Sequence, residues 1–390
     1  MRAHIRKRYV SSYSISLNLG NDPATGKRKQ VTVSVKGTKK EAEKRAAELI
    51  HQYDTGTLLN PEKTTLGAYL TRWLKEYAWA NLSPRAAEGY ETVVKMHLIP
   101  KLGAIYLTQL RPEHVQHYYH ETLQSGRCNG KGALSARTVR QHAMVLHRAL
   151  EVAVRWGLVQ RNVADAVDPP RAQRTEMHFM DEDKLHLFLD TAKKTAYYTL
   201  FYLDLYTGMR RSEILALRWE DVDLLMCQLS VNRVLHQLHD GTIIYRQPKS
   251  VKSRRTIALT PSTAILLGKY RQDRTALLAD FEKKLEDSDL VFCQLNGSPL
   301  LPSTISQAWR RIAIRAGLKG VRLHDARHTH ASLMLKQGIH PKVVQERLGH
   351  ASIQTTLDIY SHVTPGIQQA AANRFDEMVN LPVRQEGKAI

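Results

Sequence analysis

The chain is 390 residues long, enough for two or three domains that each bury a core. Its hydrophobic share of 43% is that of an ordinary globular protein, and no run approaches the ~18 apolar residues of a membrane-spanning helix. The 57 Lys and Arg against 37 Asp and Glu give a formal charge of +20, which points to a polyanionic partner, and nucleic acid is the expected one. Cys128, Cys227 and Cys293 are isolated and offer neither a disulfide framework nor a metal knuckle. The opening MRAHIRKRYV has charge without an apolar stretch behind it, so no secretory signal is expected.

Residues 1–57 read as a small β-β-β-α unit. Tyr13, Ile15, Leu17 and Leu19 alternate with polar residues, as do Val31, Val33 and Val35 after the turn NDPATGKRKQ, the period of half-buried strands. Thr38 and Glu41 have capping-box spacing and open a helix that fades near Gly56. With 12 Lys and Arg against 5 Asp and Glu, this basic sheet is of a size to lie in a DNA groove. Residues 64–167 read as all-helical. Leu66, Tyr69, Leu70, Trp73, Leu74 and Tyr77 keep helical spacing, Ser83-Pro84 reads as an N-cap with Pro at the first helical position, and further helices follow Pro112 and Ser135. His114, His117 and His120 recur three apart without a Cys or carboxylate to complete a metal site, so a solvated helix face is expected.

The Pro-rich basic stretch DPPRAQRTE, Asp168–Glu176, reads as a linker. Beyond it come a helix from about Asp181, an apolar helix around Leu200–Leu205, and the turn TGMRRSEILAL entering another helix. Strands are expected at Leu229–Val234, Ile243–Arg246 and Thr256–Leu259, with helices from Pro261 to the end. Arg210 stands at a helix entrance, where backbone N–H groups also favour an anion, and Glu213 is placed to orient it or a neighbouring His. Lys249 and Lys252 lie in the basic loop QPKSVKSRRTI.

The densest chemistry lies between Arg322 and His362. His324 and Arg327 form H-x-x-R on one helix face, His350 closes L-G-H, and Tyr360 sits in D-I-Y-S-H. Three short helices carry them, stopped by Gly338 and Gly349 and, for the third, capped by Ser352. A guanidinium fork, two imidazoles and a phenol point to chemistry on a phosphate. His328 and His330 read as helix-surface or DNA-backbone residues, and His362 as structural.

In these contexts the chain resembles the tyrosine recombinases, the phage-integrase family of site-specific DNA recombinases, and most of all integrases of temperate phages and conjugative transposons. The resemblance covers nearly all of the chain. It places the two family arginines on Arg210 (T-G-M-R-R-S-E) and Arg327 (H-D-A-R-H-T-H), the histidines on His324 and His350, and the nucleophile on Tyr360. The hairpin lysine falls on Lys249 or Lys252, with Lys249, in P-K-S, preferred; Glu213 is supporting. Ala326 stands where the family more often has a larger apolar residue.

The resemblance implies a mainly α fold with small β-sheets in three domains. These are an arm-type DNA-binding domain at 1–57 with a three-stranded sheet plus helix, a helical core-binding (SAM-like) bundle at 64–167, and a mixed α/β catalytic domain at 177–380. It implies transesterification of DNA through a 3′-phosphotyrosyl intermediate without metal, ATP or other cofactor, integrating and excising a phage or mobile element. In that chemistry Arg210 and Arg327 hold the non-bridging oxygens, and His324 and His350 donate to them, with His324 also a candidate to accept the tyrosine proton. The lysine protonates the leaving 5′-oxygen. The implied partners are double-stranded core and arm attachment sites, three further copies in a homotetramer on DNA, and accessory DNA-bending and excision-directionality proteins, with no membrane. The implied location is the bacterial cytoplasm, at the nucleoid. Two other readings share the features: a regulator that binds DNA without cutting, and a relaxing enzyme that nicks without strand exchange.

Overall fold

The structure, a computed structural model, describes residues 3–21, 28–54, 64–128, 130, 132–172, 179–248, 253–363, 372–373, 375–376 and 379, with side chains except at 19–21, 28–29, 52–54 and 360–363. The chain divides into two compact units, Met1–Arg174 and Thr175–Ile390. It is mainly helical with small sheets, as expected.

In the first unit, β1 (Ala3–Tyr9), β2 (Ser12–Asn21) and β3 (Arg28–Lys36) form an antiparallel sheet in that order. The register sets Ile15 opposite Ile5 and Val33, so one face is apolar. Ile15 and Leu17 from that face pack with Ala46 and Leu49 of α1 (Lys39–Asp54). The capping box at its start is formed: Thr38 N–H donates to Glu41 Oε2 at 2.7 Å, and Glu41 N–H to Thr38 Oγ1 at 3.4 Å.

The helices that follow are interrupted where the pattern reads as continuous. α2 (Leu66–Trp73) passes through a π turn, Leu74–Ala78, into α3 (Trp79–Asn81). Likewise α4 (Pro84–Val93) passes through a π turn, Val94–Leu98, into α5 (Ile99–Leu102). A π turn inserts a residue without breaking the helix, so apolar spacing alone does not reveal it. Ser83 occupies the N-cap, but its side chain makes no capping bond; Pro84 alone marks the start. α6 (Pro112–Ser125) and α7 (Ala136–Arg155) complete the bundle, with Ser135 capping α7 through Thr138 N–H at 3.2 Å. Tyr69, Trp73, Val139, Leu146 and Leu150 share its core. His117 and His120 are exposed on α6, the solvated face expected, while His114 is half-buried and its Nδ1 accepts from Arg111 N–H at 3.1 Å.

The second unit is built on α8 (Glu182–Ala192), α9 (Tyr198–Thr207) and α12 (Pro302–Arg315), with α10 (Arg211–Ile214) and α11 (Pro261–Ala279) between the last two in sequence. Phe188, Phe201 and Trp309 meet at its centre, with Phe188 and Trp309 ring centroids 4.1 Å apart. Removing one such ring costs about 3–5 kcal/mol, the scale at which the site's platform would loosen.

Two expected elements are corrected here. The strand read at Leu229–Val234 is two strands in different sheets. β5 (Gln228–Val231) lies between β4 (Val222–Asp223) and β8 (Arg255–Ala258), while β6 (Val234–Gln237) pairs with β7 (Ile243–Arg246) in a separate sheet. The break falls at Asn232 and Arg233, whose side chains turn to the Asp221 carboxylate at 2.9 and 2.8 Å. Nor do helices run unbroken from Pro261. Residues 280–301 are extended or turning, and they pair with the segment after α10 through Trp219 N–H to Asp289 O and Val291 N–H to Leu217 O. The last described helices are α13 (Leu323–Lys336), α14 (Pro341–Leu348) and α15 (Ile353–Val363). The helices expected to continue to the end of the chain lie, beyond residue 363, almost wholly outside the described residues. Among the described residues, no helix is long and apolar enough to cross a membrane.

Candidate active site

The site gathers around two left-handed glycines that end helices. Gly208 (φ +62°) ends α9 and Gly349 (φ +67°) ends α14, the conformation for which glycine is favoured. Space as well as backbone demands glycine at 208: a Cβ there would lie 2.5 Å from Leu348 Cδ2 and 2.9 Å from His330 Cδ2. The close approach brings the two helix ends together.

Three arginines fill the junction, each bonded to one of three consecutive carbonyls. Arg255 Nε donates to Arg347 O at 2.6 Å, Arg327 Nη2 to Leu348 O at 2.7 Å, and Arg210 Nη2 to Gly349 O at 2.9 Å. Arg327 Nη1 also donates to Gly208 O at 2.8 Å, so its guanidinium is held on both sides by backbone. These carbonyls are at helix C-termini, where free C=O groups and the helix dipole favour a cation. Arg327 is 4% exposed. Burial, and next the neighbouring Arg210 cation, lower its pKa to about 9, high enough to keep the charge at neutral pH. Neutral acceptors fix its geometry without cancelling that charge. A guanidinium has five N–H donors, and two on Arg327 are used in this way, leaving others for an incoming anion.

The carboxylate in the cluster is Glu213. It accepts from Arg210 Nη1 at 2.6 Å and from Arg255 Nη2 at 2.9 Å, with both its own side chain and that of Arg255 almost wholly buried. Burial pushes Glu213 up, but the hydrogen bond and charge of Arg255, then Arg210, outweigh it and hold the carboxyl below its ordinary pKa. Three arginines against one carboxylate leave the cluster positive. Asp204 is fully buried nearby, and burial pushes its carboxyl well above the ordinary range. At the helix entrance the Arg210 amide itself is occupied, because Glu213 Oε2 accepts from Arg210 N–H at 2.8 Å, and α10 is only four residues long.

Arg210, His324 and Arg327 open on one cavity of about 860 Å³, lined also by Met209, Trp309 and Val321. Burial first, then the Arg327 charge, lowers the His324 pKa, so this imidazole is neutral at pH 7. His350 is buried beside α15, its Nδ1 2.8 Å from Thr356 Oγ1. Tyr360 lies in α15, which docks on α13 and α14 through the preceding residue, Ile359, packed with Ala331, Leu335, Val344 and Leu348. Nothing is described of the Tyr360 and His362 side chains, and Lys249 and Lys252 fall outside the described residues. Among the described residues no group of His, Cys, Asp and Glu could hold a metal.

Several contributors escaped the sequence reading. Arg255 gave a weak signal, the second Arg of S-R-R-T-I, and its partner Glu213 is 42 residues away. Arg347 braces the α14 end through Tyr206 O, Ala258 O and His330 Nε2. His330 is therefore not a surface residue. Its Nδ1–H donates to Leu205 O at 3.0 Å while Nε2 accepts from Arg347 Nε at 3.0 Å, which requires the neutral ring. His328 is half-buried, and its Nδ1 is buried with no hydrogen-bond partner among the described residues.

A stability prediction follows. Burial is the main cause lowering His328 to about 4 and His330 and His350 to about 3, against ~6.5 in an unfolded chain. The unfolded state then binds more protons below that value. This stability is present above pH ~6.5 and is lost as the pH falls towards 4 for His328 and towards 3 for His330 and His350, by up to about 1.4 kcal/mol per pH unit for each group. Urea midpoints should already decline between pH 6.5 and 5.5, above the carboxylate range; an unchanged midpoint there would contradict the buried neutral histidines.

The model described as "Phage integrase family" matches residues 178–366, and that described as "Phage integrase, N-terminal SAM-like domain" matches residues 65–123. The chain belongs to the phage integrase family. It is a tyrosine recombinase, an enzyme of site-specific DNA recombination. The ICEBs1 integrase of Bacillus subtilis is 23% identical over 380 residues, spanning 96% of this chain and all of that protein. A XerC-like tyrosine recombinase of Caldanaerobacter subterraneus is 26% identical, over 87% of this chain and 90% of its own. Among solved structures, the Tn1549 transposon integrase in complex with a circular intermediate DNA superposes with a TM-score of 0.67 at 18% identity, over 80% of this chain and 99% of that one. A lambda integrase dimer bound to a core site gives 0.58 at 19%, over 91% and 94%. At these identities the two structures speak for the fold alone.

Proposed function

We propose that this tyrosine recombinase is the integrase of a phage or other mobile element, cutting and rejoining duplex DNA at paired attachment sites with Tyr360 as nucleophile. The phenol oxygen attacks the scissile phosphorus, forms a 3′-phosphotyrosyl bond and releases the 5′-oxygen, which takes a proton from Lys249 or Lys252. A 5′-hydroxyl of another strand then reverses the step, regenerating the phosphodiester and the tyrosine. Neither metal nor ATP is required.

The observation that carries this reading is the cationic cluster held by neutral carbonyls. Arg210 and Arg327 present N–H groups to a shared cavity, with geometry fixed before any phosphate arrives. Preorganised charge of this kind stabilises the oxyanion of phosphoryl transfer without reorganisation in the transition state. A phenol of pKa ~10 is a weak nucleophile at neutral pH, and nearby guanidinium groups favour its ionised form. The neutral His324 is suited to accept the phenol proton, and His350 to donate to a phosphate oxygen.

The +20 charge fits a duplex partner. The small sheet at 1–57 is assigned to arm sites, the bundle at 64–167 to core sites, and residues 177–380 to catalysis, in a tetramer that joins two sites. Accessory bending and directionality proteins belong to the same assembly. The test is a nicked duplex spanning the junction at which the element carrying this gene is inserted. The protein should form an SDS-resistant adduct with it, undiminished by EDTA; binding without an adduct would count for a non-cutting regulator. Deleting residues 1–57 should reduce integration much more than cleavage of an isolated core site, and an equal loss of both would remove the arm assignment.

A further inference from the structure

His350 can supply a hydrogen bond to a phosphate only if its ring proton is on the nitrogen that faces the phosphate. Its backbone is fixed on both sides by Gln345: His350 N–H donates to Gln345 O at 3.1 Å, and Gln345 Nε2 donates to His350 O at 3.1 Å. The ring is buried and neutral, so it carries one N–H, on Nδ1 or on Nε2. Nδ1 is 2.8 Å from the Thr356 hydroxyl, and Thr356 is fully buried. Two arrangements satisfy that distance. If the ring donates from Nδ1, the hydroxyl proton is left buried, since among the described residues Thr356 Oγ1 has no second partner. If the hydroxyl donates to Nδ1, both groups are satisfied and the ring proton is on Nε2. Unmade buried hydrogen bonds are costly, which favours the second arrangement.

We infer that Thr356 is a positioning residue for the reaction: its hydroxyl donates to His350 Nδ1 and so keeps the ring proton on Nε2, available to the phosphate. Thr356 stands one helical turn before Tyr360 on α15. The same bond therefore ties the helix of the nucleophile to the ring that meets the phosphate, and seating of α15 and orientation of His350 become one event. This inference rests on the donor role proposed for His350.

The test reads the tautomer directly, by long-range proton–nitrogen NMR of the full chain with nitrogen-15-labelled histidine, on wild type, Thr356→Ser and Thr356→Val. His350 is assigned by comparison with His350→Gln. Wild type and Thr356→Ser should carry the His350 proton on Nε2, and Thr356→Val should shift towards Nδ1–H. On the nicked duplex, Thr356→Val should form adduct about 10- to 100-fold more slowly, less than the loss of a whole oxyanion donor, with unchanged DNA affinity. Thr356→Ser should stay within about threefold of wild type, since it keeps the hydroxyl. Wild-type His350 protonated on Nδ1 would overturn the inference, even if Thr356→Val failed to fold. So would a Thr356→Val protein that keeps the Nε2 proton and the full rate. Absence of adduct from wild type would instead strike the proposed chemistry, leaving the tautomer result to stand or fall separately.

Discussion

Replacing Arg327 by alanine is expected to slow adduct formation by about 100- to 1000-fold or more, the cost of deleting one donor to a developing oxyanion. Arg327 is buried, it opens on the cavity shared with Arg210 and His324, and two backbone carbonyls on opposite sides fix its plane. Arg327→Lys should be nearly as slow, because a single ammonium cannot span Gly208 O and Leu348 O and still present a fork to phosphate. DNA affinity should change little, since Arg327 is one cation among 57 Lys and Arg. Single-turnover adduct kinetics with saturating protein separate the two effects. A rate within a few fold of wild type for Arg327→Ala would mean that the carbonyl-held arginine is structural only.

Glu213→Ala should injure stability and rate together. The Glu213 and Arg255 side chains are only 1% and 6% exposed, so removing the carboxylate leaves a buried guanidinium without its counter-charge. Breaking such a pair costs about 3–5 kcal/mol, a large part of the roughly 5–15 kcal/mol that holds a domain together. A melting temperature lower by roughly 10 °C is expected. The rate should fall further than the folded fraction, because Arg210 also loses the partner that sets its guanidinium. Glu213→Gln keeps an acceptor for Arg210 N–H and should lie between. A Glu213→Ala melt within about 2 °C of wild type would show that the pair contributes little.

The parts of this site that could be read from sequence are those whose logic is local. His324 and Arg327 are three apart on one helix, and the glycines at 338 and 349 end helices that periodicity already outlines. Arg255 was missed because its meaning depends on Glu213, on another element, and on a carbonyl 92 residues ahead. His330 was misread for the same reason: an exposed-looking position in the pattern is closed by Arg347 and Leu205. The division of Leu229–Val234 between two sheets is likewise a long-range effect, imposed by Asp221 on Asn232 and Arg233 against a continuous β-like pattern. Extended residues in 280–301 follow from pairing with Leu217 and Trp219, which no local propensity encodes. The three consecutive carbonyls at 347–349 carry no sequence signal beyond Gly349, because any residue supplies a C=O.

The measurement that bears most directly on the proposed chemistry compares wild type with Tyr360→Phe on the nicked duplex that spans the element's junction. The substitution removes one oxygen and leaves the ring. Wild type should become covalently attached to the 3′ end at the nick, with the DNA-bearing peptide mapping to Tyr360. Tyr360→Phe should bind the duplex with similar affinity and form no adduct. An adduct of normal yield with Tyr360→Phe would contradict the assignment of Tyr360 as nucleophile.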